Sequence, residues 1–177
     1  MAKKSQPKKV TVKLLERQRN GKPSEPYQVM DKLIAEHHPH LAQAEIAICW
    51  RYGWSEDVDG RLRLGQASKA SDCERALQEY DLVLLLNWEA WNTGGLDGVQ
   101  QRALLDHELT HCQVALDEDG EPKVDEDGRI VYRIRKHDVE EFREVVERHG
   151  LYTDDLQEFA QAGIKDSERP LLADEEK

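Results

Sequence analysis

The sequence predicts a small α+β domain, and three observations predict it. The continuous apolar run Tyr80 to Trp88 (YDLVLLLNW) reads as a strand buried on both faces, in the middle of a sheet. Ala44 to Trp54 (AEIAICWRYGW) has a β-like period that puts Ile46, Ile48 and Trp50 on one face of a second strand. After a glycine break at Asn92-Thr93-Gly94-Gly95, Asp97 opens a helix, with Gln100 three residues on as a capping box.

The other elements follow in order. Residues 1–24 are expected to form a basic, flexible arm ending in the turn-rich Asn20-Gly21-Lys22-Pro23-Ser24. A domain is expected over residues 25–152. Its first helix starts near Tyr27, carries Val29, Met30, Leu33 and Ile34 at helical spacing, and ends at His37-His38-Pro39-His40. No Cys, Asp or Glu completes a compact ligand set beside those histidines, so they read as a polar helix exit. Leu62 to Ala67 follows the Asp59-Gly60 turn signal as a further strand. Asp72 to Glu79 is too short and polar to assign. The Asp97 helix, with Val99, Leu104, Leu105 and Leu109, is expected to run to about Leu116. Asp117 to Gly128 reads as turns. Arg129 to Arg135 alternates as a strand that pairs with Pro122 to Val124 across Asp127-Gly128. A last helix is expected from Asp138, capped by Glu141, with Val139, Phe142, Val145 and Val146 inward and Gly150 at its end. Residues 153–177 read as an acidic, mostly disordered tail with one weak helical patch at Leu156, Phe159 and Ala160. No internal repeat stands out.

Bulk charge narrows the function. The chain of 177 residues has a net charge of -11, and such a surface repels phosphate backbones, which argues against a general nucleic-acid binder. The exception is the first twenty residues, where Lys3, Lys4, Lys8, Lys9, Lys13, Arg17 and Arg19 face Glu16 alone. Cys49, Cys73 and Cys112 are odd in number and widely spaced, which fits reduced thiols. No apolar leader follows the N-terminal lysines, and the longest apolar run is far short of a membrane span. A soluble, cytoplasmic protein is expected.

The chemistry concentrates in His107-Glu108-Leu109-Thr110-His111. On a helix, His107 and His111 lie one turn apart on one face, so both imidazoles reach one ion. Glu108 projects about 100° further round, close to the open side of the metal without being a ligand. Zinc in such a site lowers the pKa of its water to roughly 7, and Glu108 is the candidate general base. A catalytic zinc takes three protein ligands, and His137 is the candidate third, just before the Asp138 cap. Glu141 is the runner-up. Asp106 and Asp138 are candidate orienting groups, and Tyr132, Arg133, His149 and Tyr152 are candidate oxyanion donors. Cys112 reads as a packed thiol.

The stretch ALLDHELTHC, a short acidic hairpin, RIRKHDVEEFREVVERHG and the upstream YDLVLLLNWEAW together resemble the phage metallopeptidase family, over roughly residues 27–152. The resemblance implies a minimal zincin-like fold: a small mixed sheet, an HExxH active-site helix and a backing C-terminal helix. It implies a zinc-dependent hydrolase of the metallopeptidase (protease) type, acting on a peptide or protein in the host bacterial cytoplasm. His107 and His111 match the metal ligands and Glu108 the general base, while His137 falls in the HDxEEF stretch. The competing expectation is a phage accessory protein that engages a host protein, with a structural zinc site and no turnover.

Overall fold

In the computed structural model, which describes residues 11–167, the chain divides into two compact units, 1–135 and 136–177. The basic residues 3–9 and the acidic end of the tail lie outside the described residues.

The first unit opens with three short strands, β1 (Thr11–Leu14), β2 (Gln18–Arg19) and β3 (Lys22–Pro23). Helix α1 (Glu25–His37) and a 3₁₀ turn (Pro39–Leu41) lead into β4 (Ile46–Tyr52). Then come β5 (Gly65–Lys69), α2 (Asp72–Gln78), β6 (Leu82–Asn87) and α3 (Trp88–Asn92). Helix α4 (Gly98–His111) and strands β7 (Cys112–Val114) and β8 (Tyr132–Ile134) complete the unit. Four strands form a mixed sheet in the order β1-β4-β6-β5, with β4 and β6 parallel at its centre and antiparallel neighbours outside.

The period of two along β4 and β6 divides the sheet into two faces. Ile46, Ile48, Leu82, Leu84 and Leu86 share one core cluster with Tyr27, Met30 and Leu33 of α1 and Leu105 and Leu109 of α4. Ala47, Cys49 and Val83 belong to a second, smaller cluster. Leu82, Leu84 and Leu86 are each 0% exposed, and each such burial contributes about 1.5–3 kcal/mol. Past the end of β1, the N–H of Ile48 donates to the Tyr27 hydroxyl at 2.9 Å, so α1 satisfies a donor that the neighbouring strand no longer reaches.

The fold is the expected small α+β type, and its sheet is mixed, consistent with a zincin-like arrangement. Several boundaries differ. Residues 11–24, expected as a flexible arm, form β1 to β3, and β1 joins the main sheet. Residues 72–78, left unassigned, form α2 behind a complete Ser71/Glu74 capping box. Helix α4 stops at His111, because Cys112 turns extended and starts a ladder with β8. The expected pairing of Arg129 to Arg135 with Pro122 to Val124 is limited to an isolated Val124–Ile130 bridge across the Asp127-Gly128 turn, and β8 itself pairs with β7.

One turn recurs three times, as Asp57-Val-Asp-Gly-Arg61, Asp117-Glu-Asp-Gly-Glu121 and Asp125-Glu-Asp-Gly-Arg129. In each, the first aspartate accepts the N–H groups two and four residues on, at 2.9–3.1 Å. The glycine takes φ of 76°, 83° and 76°, which a side chain would oppose.

The second unit, as described from residue 136, holds α5 (Arg143–His149) and α6 (Asp154–Ser167). α5 begins after Phe142 without a side-chain cap, not at Asp138. Glu141 instead accepts the N–H of Phe142 at 2.7 Å and the hydroxyl of Tyr152. The weak patch at Leu156 belongs to the 14 residues of α6, in a segment expected to be mostly disordered. Among the described residues, no helix is long and apolar enough to cross a membrane.

Candidate metal centre

The local sequence builds the platform first. Asp97 accepts the N–H of Gln100 at 2.8 Å, and Gln100 accepts the N–H of Asp97 at 3.0 Å, so both halves of the expected capping box are present. Leu105 and Leu109, four apart and 0% exposed, anchor α4 on the sheet. Their burial fixes the rotation of the helix. It leaves His107 exposed and His111 half-buried, and it turns Glu108 inward to 3% exposure.

The two histidines of α4 converge. Their Nε2 atoms are 3.3 Å apart, and the rings meet edge to face at 87°. The His111 ring is held from behind, with Nδ1 lying 2.7 Å from the carbonyl oxygen of Arg135. A carbonyl only accepts, so Nδ1 carries the proton and Nε2 is the ring's acceptor atom. The N–H of Arg135 in turn donates to the His111 carbonyl at 2.7 Å. Two nitrogens about 2.0–2.1 Å from one tetrahedral ion stand about 3.3–3.4 Å apart. The donor types, the tautomer and the spacing therefore fit a metal ion.

Glu108 is pressed against β5. Its carboxylate accepts the N–H of Ala67, and Gly65 lies so close that no side chain fits between them. Burial pushes the carboxyl up to about 7, opposed by the charge of His111, the Ala67 N–H and Arg63. His107 and Glu108 line a cavity of about 470 Å³ whose other walls include Leu64, Leu96, Ala103 and Leu104. The site thus joins two convergent ring nitrogens, a carboxylate and an apolar recess.

The remaining candidates separate. Cys112 is buried, its thiol pushed up to about 12 by burial, then by Glu108, and it contacts the Glu108 carbonyl; it is the packed thiol expected. Asp106, expected to orient a ligand, lies 2.6 Å from Nε2 of the buried His38. The reading of His38 as a polar helix exit is therefore corrected: it is a buried group with an acidic partner. Tyr132 is 3% exposed, and its hydroxyl has no partner among the described residues. In the second unit, Tyr152 donates to Glu141, which has its own partners in Phe142 and Tyr152. His137, also in that unit, is exposed and follows Arg135 by two residues.

Two contributors escaped the sequence reading. Gly65 and Ala67 hold the Glu108 carboxylate, and a glycine inside a predicted strand was the available signal, since it marks close approach of another group. His38 could not be assigned a partner, because Asp106 is 68 residues away in sequence.

Comparison with known proteins places this architecture. A family model described as "Putative phage metallopeptidase" matches residues 21–163. No curated protein and no solved structure matches the chain.

Proposed function

Because the chain belongs to the phage metallopeptidase family, we propose that it is a zinc-dependent peptidase that hydrolyses a peptide bond with Glu108 as general base. The observation that carries this reading is the pair of Nε2 atoms 3.3 Å apart, with the His111 tautomer set by the Arg135 carbonyl. His107, His111 and His137 are three histidines able to hold a metal ion. His137 follows the pinned residue Arg135 by two positions, a reach of at most about 7 Å. His137 is thus the third ligand, ahead of Glu141.

Zinc, when bound, supplies positive charge that polarises a carbonyl and acidifies water. The chain supplies the rest. Glu108 takes the proton of the attacking water on its carboxylate and returns it to the leaving amine. The apolar recess of Leu64, Leu96 and Leu104 receives a substrate side chain beside it. The peptide groups of Gly65, Ala67 and Lys69 face away from β6, since Leu64 and Ala70 bond on the β6 side, and of these the Ala67 N–H is taken by Glu108. The rest of that outer edge, at Gly65 and Lys69, offers an extended substrate backbone groups to pair with.

The family implies a peptide or protein substrate, and the free thiols of Cys49, Cys73 and Cys112 fit the reducing host cytoplasm. The test uses purified full-length protein, measuring bound zinc and cleavage of a peptide library. Glu108→Gln should keep stoichiometric zinc and lose cleavage, and His137→Ala should lose zinc. Cleavage by Glu108→Gln at the wild-type rate would sink the mechanism. A wild-type protein that binds zinc yet cleaves nothing in the library would favour a structural site.

A further inference from the structure

A second cavity, of about 580 Å³, lies away from the HELTH segment in the first unit. It is lined by four aromatic side chains, Trp50, Tyr52, Trp88 and Trp91, together with Lys13 and Arg19. Trp50 and Tyr52 end β4 and Trp88 directly follows β6, so the cavity sits at the carboxyl ends of the two parallel strands. Open α/β sheets offer ligands a crevice at that end.

Its aromatic side chains are ordered by one another. Tyr52 and Trp88 stack with centroids 5.2 Å apart at 27°, and Trp50 meets Trp91 edge to face at 5.8 Å. The Lys13 ammonium lies 5.4 Å from the Tyr52 ring. Trp50, Tyr52 and Trp88 are only half-buried, so indole and phenol surface remains open to a ligand.

Charge selects among the ligands that aromatic surfaces can take. Glu16 and Glu25 also line the cavity, so its own lining is balanced. The segment that supplies Lys13 and Arg19 is not: residues 1–24 hold eight Lys and Arg against one Glu, whereas the other 153 residues hold 17 against 35. A net positive segment, of which Lys13 and Arg19 line this cavity, thus stands on a chain that is net negative elsewhere. A neutral sugar or an apolar peptide would use the rings and leave that segregation without a role. A flat base joined to a phosphate uses both. Aromatic platforms flanked by lysine and arginine are the chemistry of single-strand binding, and a cavity of this size admits one nucleotide.

We propose that this aromatic cavity and its basic residues Lys13 and Arg19 form a binding site for single-stranded nucleic acid, separate from the candidate metal centre. One base stacks among Trp50, Tyr52 and Trp88, and the adjoining phosphates meet Lys13 and Arg19. The reading does not depend on peptidase activity.

The test titrates the full-length, zinc-loaded protein with a labelled thymidine oligonucleotide of a dozen residues, following anisotropy and tryptophan emission together. Binding with quenched emission is expected, weakening with salt at a log–log slope of at least about -1.4 for two neutralised phosphates. Trp88→Ala should weaken binding about 5- to 150-fold, the loss of one stacked base. Lys13→Glu with Arg19→Glu changes exposed positions that leave the core intact, and it should weaken binding at least as much while flattening the salt slope. No binding at low salt would overturn the proposal. So would wild-type affinity in both variants, tighter binding of the matching duplex, or equal affinity for thymidine monophosphate, which would make the ligand a free nucleotide.

Discussion

A Cβ placed on Gly65 would stand 2.4 Å from Oε1 of Glu108 and 2.9 Å from its Cδ. The strand next to the candidate metal centre thus has a missing side chain where the carboxylate of the helix needs room. Leu105 and Leu109 hold the helix down, the glycine admits the carboxylate, and the Ala67 N–H orients it.

Gly65→Ala should therefore act on chemistry more than on folding. The methyl group displaces the Glu108 carboxylate, and a shift of about 1 Å at a catalytic group costs on the order of 10²-fold in rate. Zinc content should stay at the wild-type level, because the three atoms nearest the added methyl group all belong to Glu108 and none to an α4 histidine. Wild-type turnover in this variant would show that the carboxylate need not sit against β5.

Metal removal should leave the first unit folded. The core cluster contains neither His107 nor His111, so the hydrophobic face survives when the ion leaves. A chelator should abolish cleavage and lower the melting temperature without changing the far-ultraviolet spectrum at room temperature. The lost stabilisation is about 2.7 kcal/mol where zinc had been a hundredfold above its Kd. Collapse of helical signal on chelation would instead mark the ion as structural.

Asp106→Ala should destabilise the protein through a residue far away in sequence. It removes the acid 2.6 Å from His38, whose side chain is 8% exposed, and leaves a buried ring nitrogen without that partner. The expected cost is about 1–3 kcal/mol, read as a shift in the denaturant midpoint. Asp106→Asn keeps an oxygen acceptor and should recover part of it. An unchanged midpoint in the alanine variant would mean that the pair is energetically idle.

The acid side of the stability profile should carry a mark of the third Asp-x-Asp-Gly turn. The N–H of Arg129 first, then Arg75 and the N–H of Asp127, hold the Asp125 carboxyl below its ordinary value. A folded-state pKa that is depressed gives stability present above the unfolded value of about 3.9, lost as pH falls through the folded one. A carboxyl-carbon NMR titration should place Asp125 below 3.9, and Asp125→Asn should remove its share of the acid dependence. Titration at or above 3.9 would refute the assignment.

Legibility in the sequence followed the range of the forces involved. The buried strand Leu82–Asn87 and the alternating strand Ile46–Tyr52 could be read because burial on a sheet writes a period of two into adjacent residues. The start of α4 could be read because a capping box is local chemistry, and Ser71/Glu74 carried the same signal for α2. The end of α4 could not. Leu109 to Leu116 continues an apolar pattern, and the switch at Cys112 comes from pairing with Ile134, a partner 22 residues away. The convergence of His107 and His111 was legible because i and i+4 share a helical face. What holds each partner was not, since Arg135, Gly65 and Ala67 reach α4 only through the tertiary fold. The same holds for Asp138 and Glu141, where a good capping pattern lost to the hydrogen bonds that Glu141 makes with Phe142 and Tyr152.

The excursion from Cys112 to Ile134 is fastened at its root, where His111 and Arg135 exchange backbone and ring hydrogen bonds. Its first tip, Asp117 to Glu121, closes on its own aspartate side chain. A root fastened in this way insulates the ligand geometry from whatever the tip carries. The loop around Glu118 and Asp119 is thus a grafting position, where a peptide tag or a fluorophore cassette could be spliced in while His111 keeps its orientation.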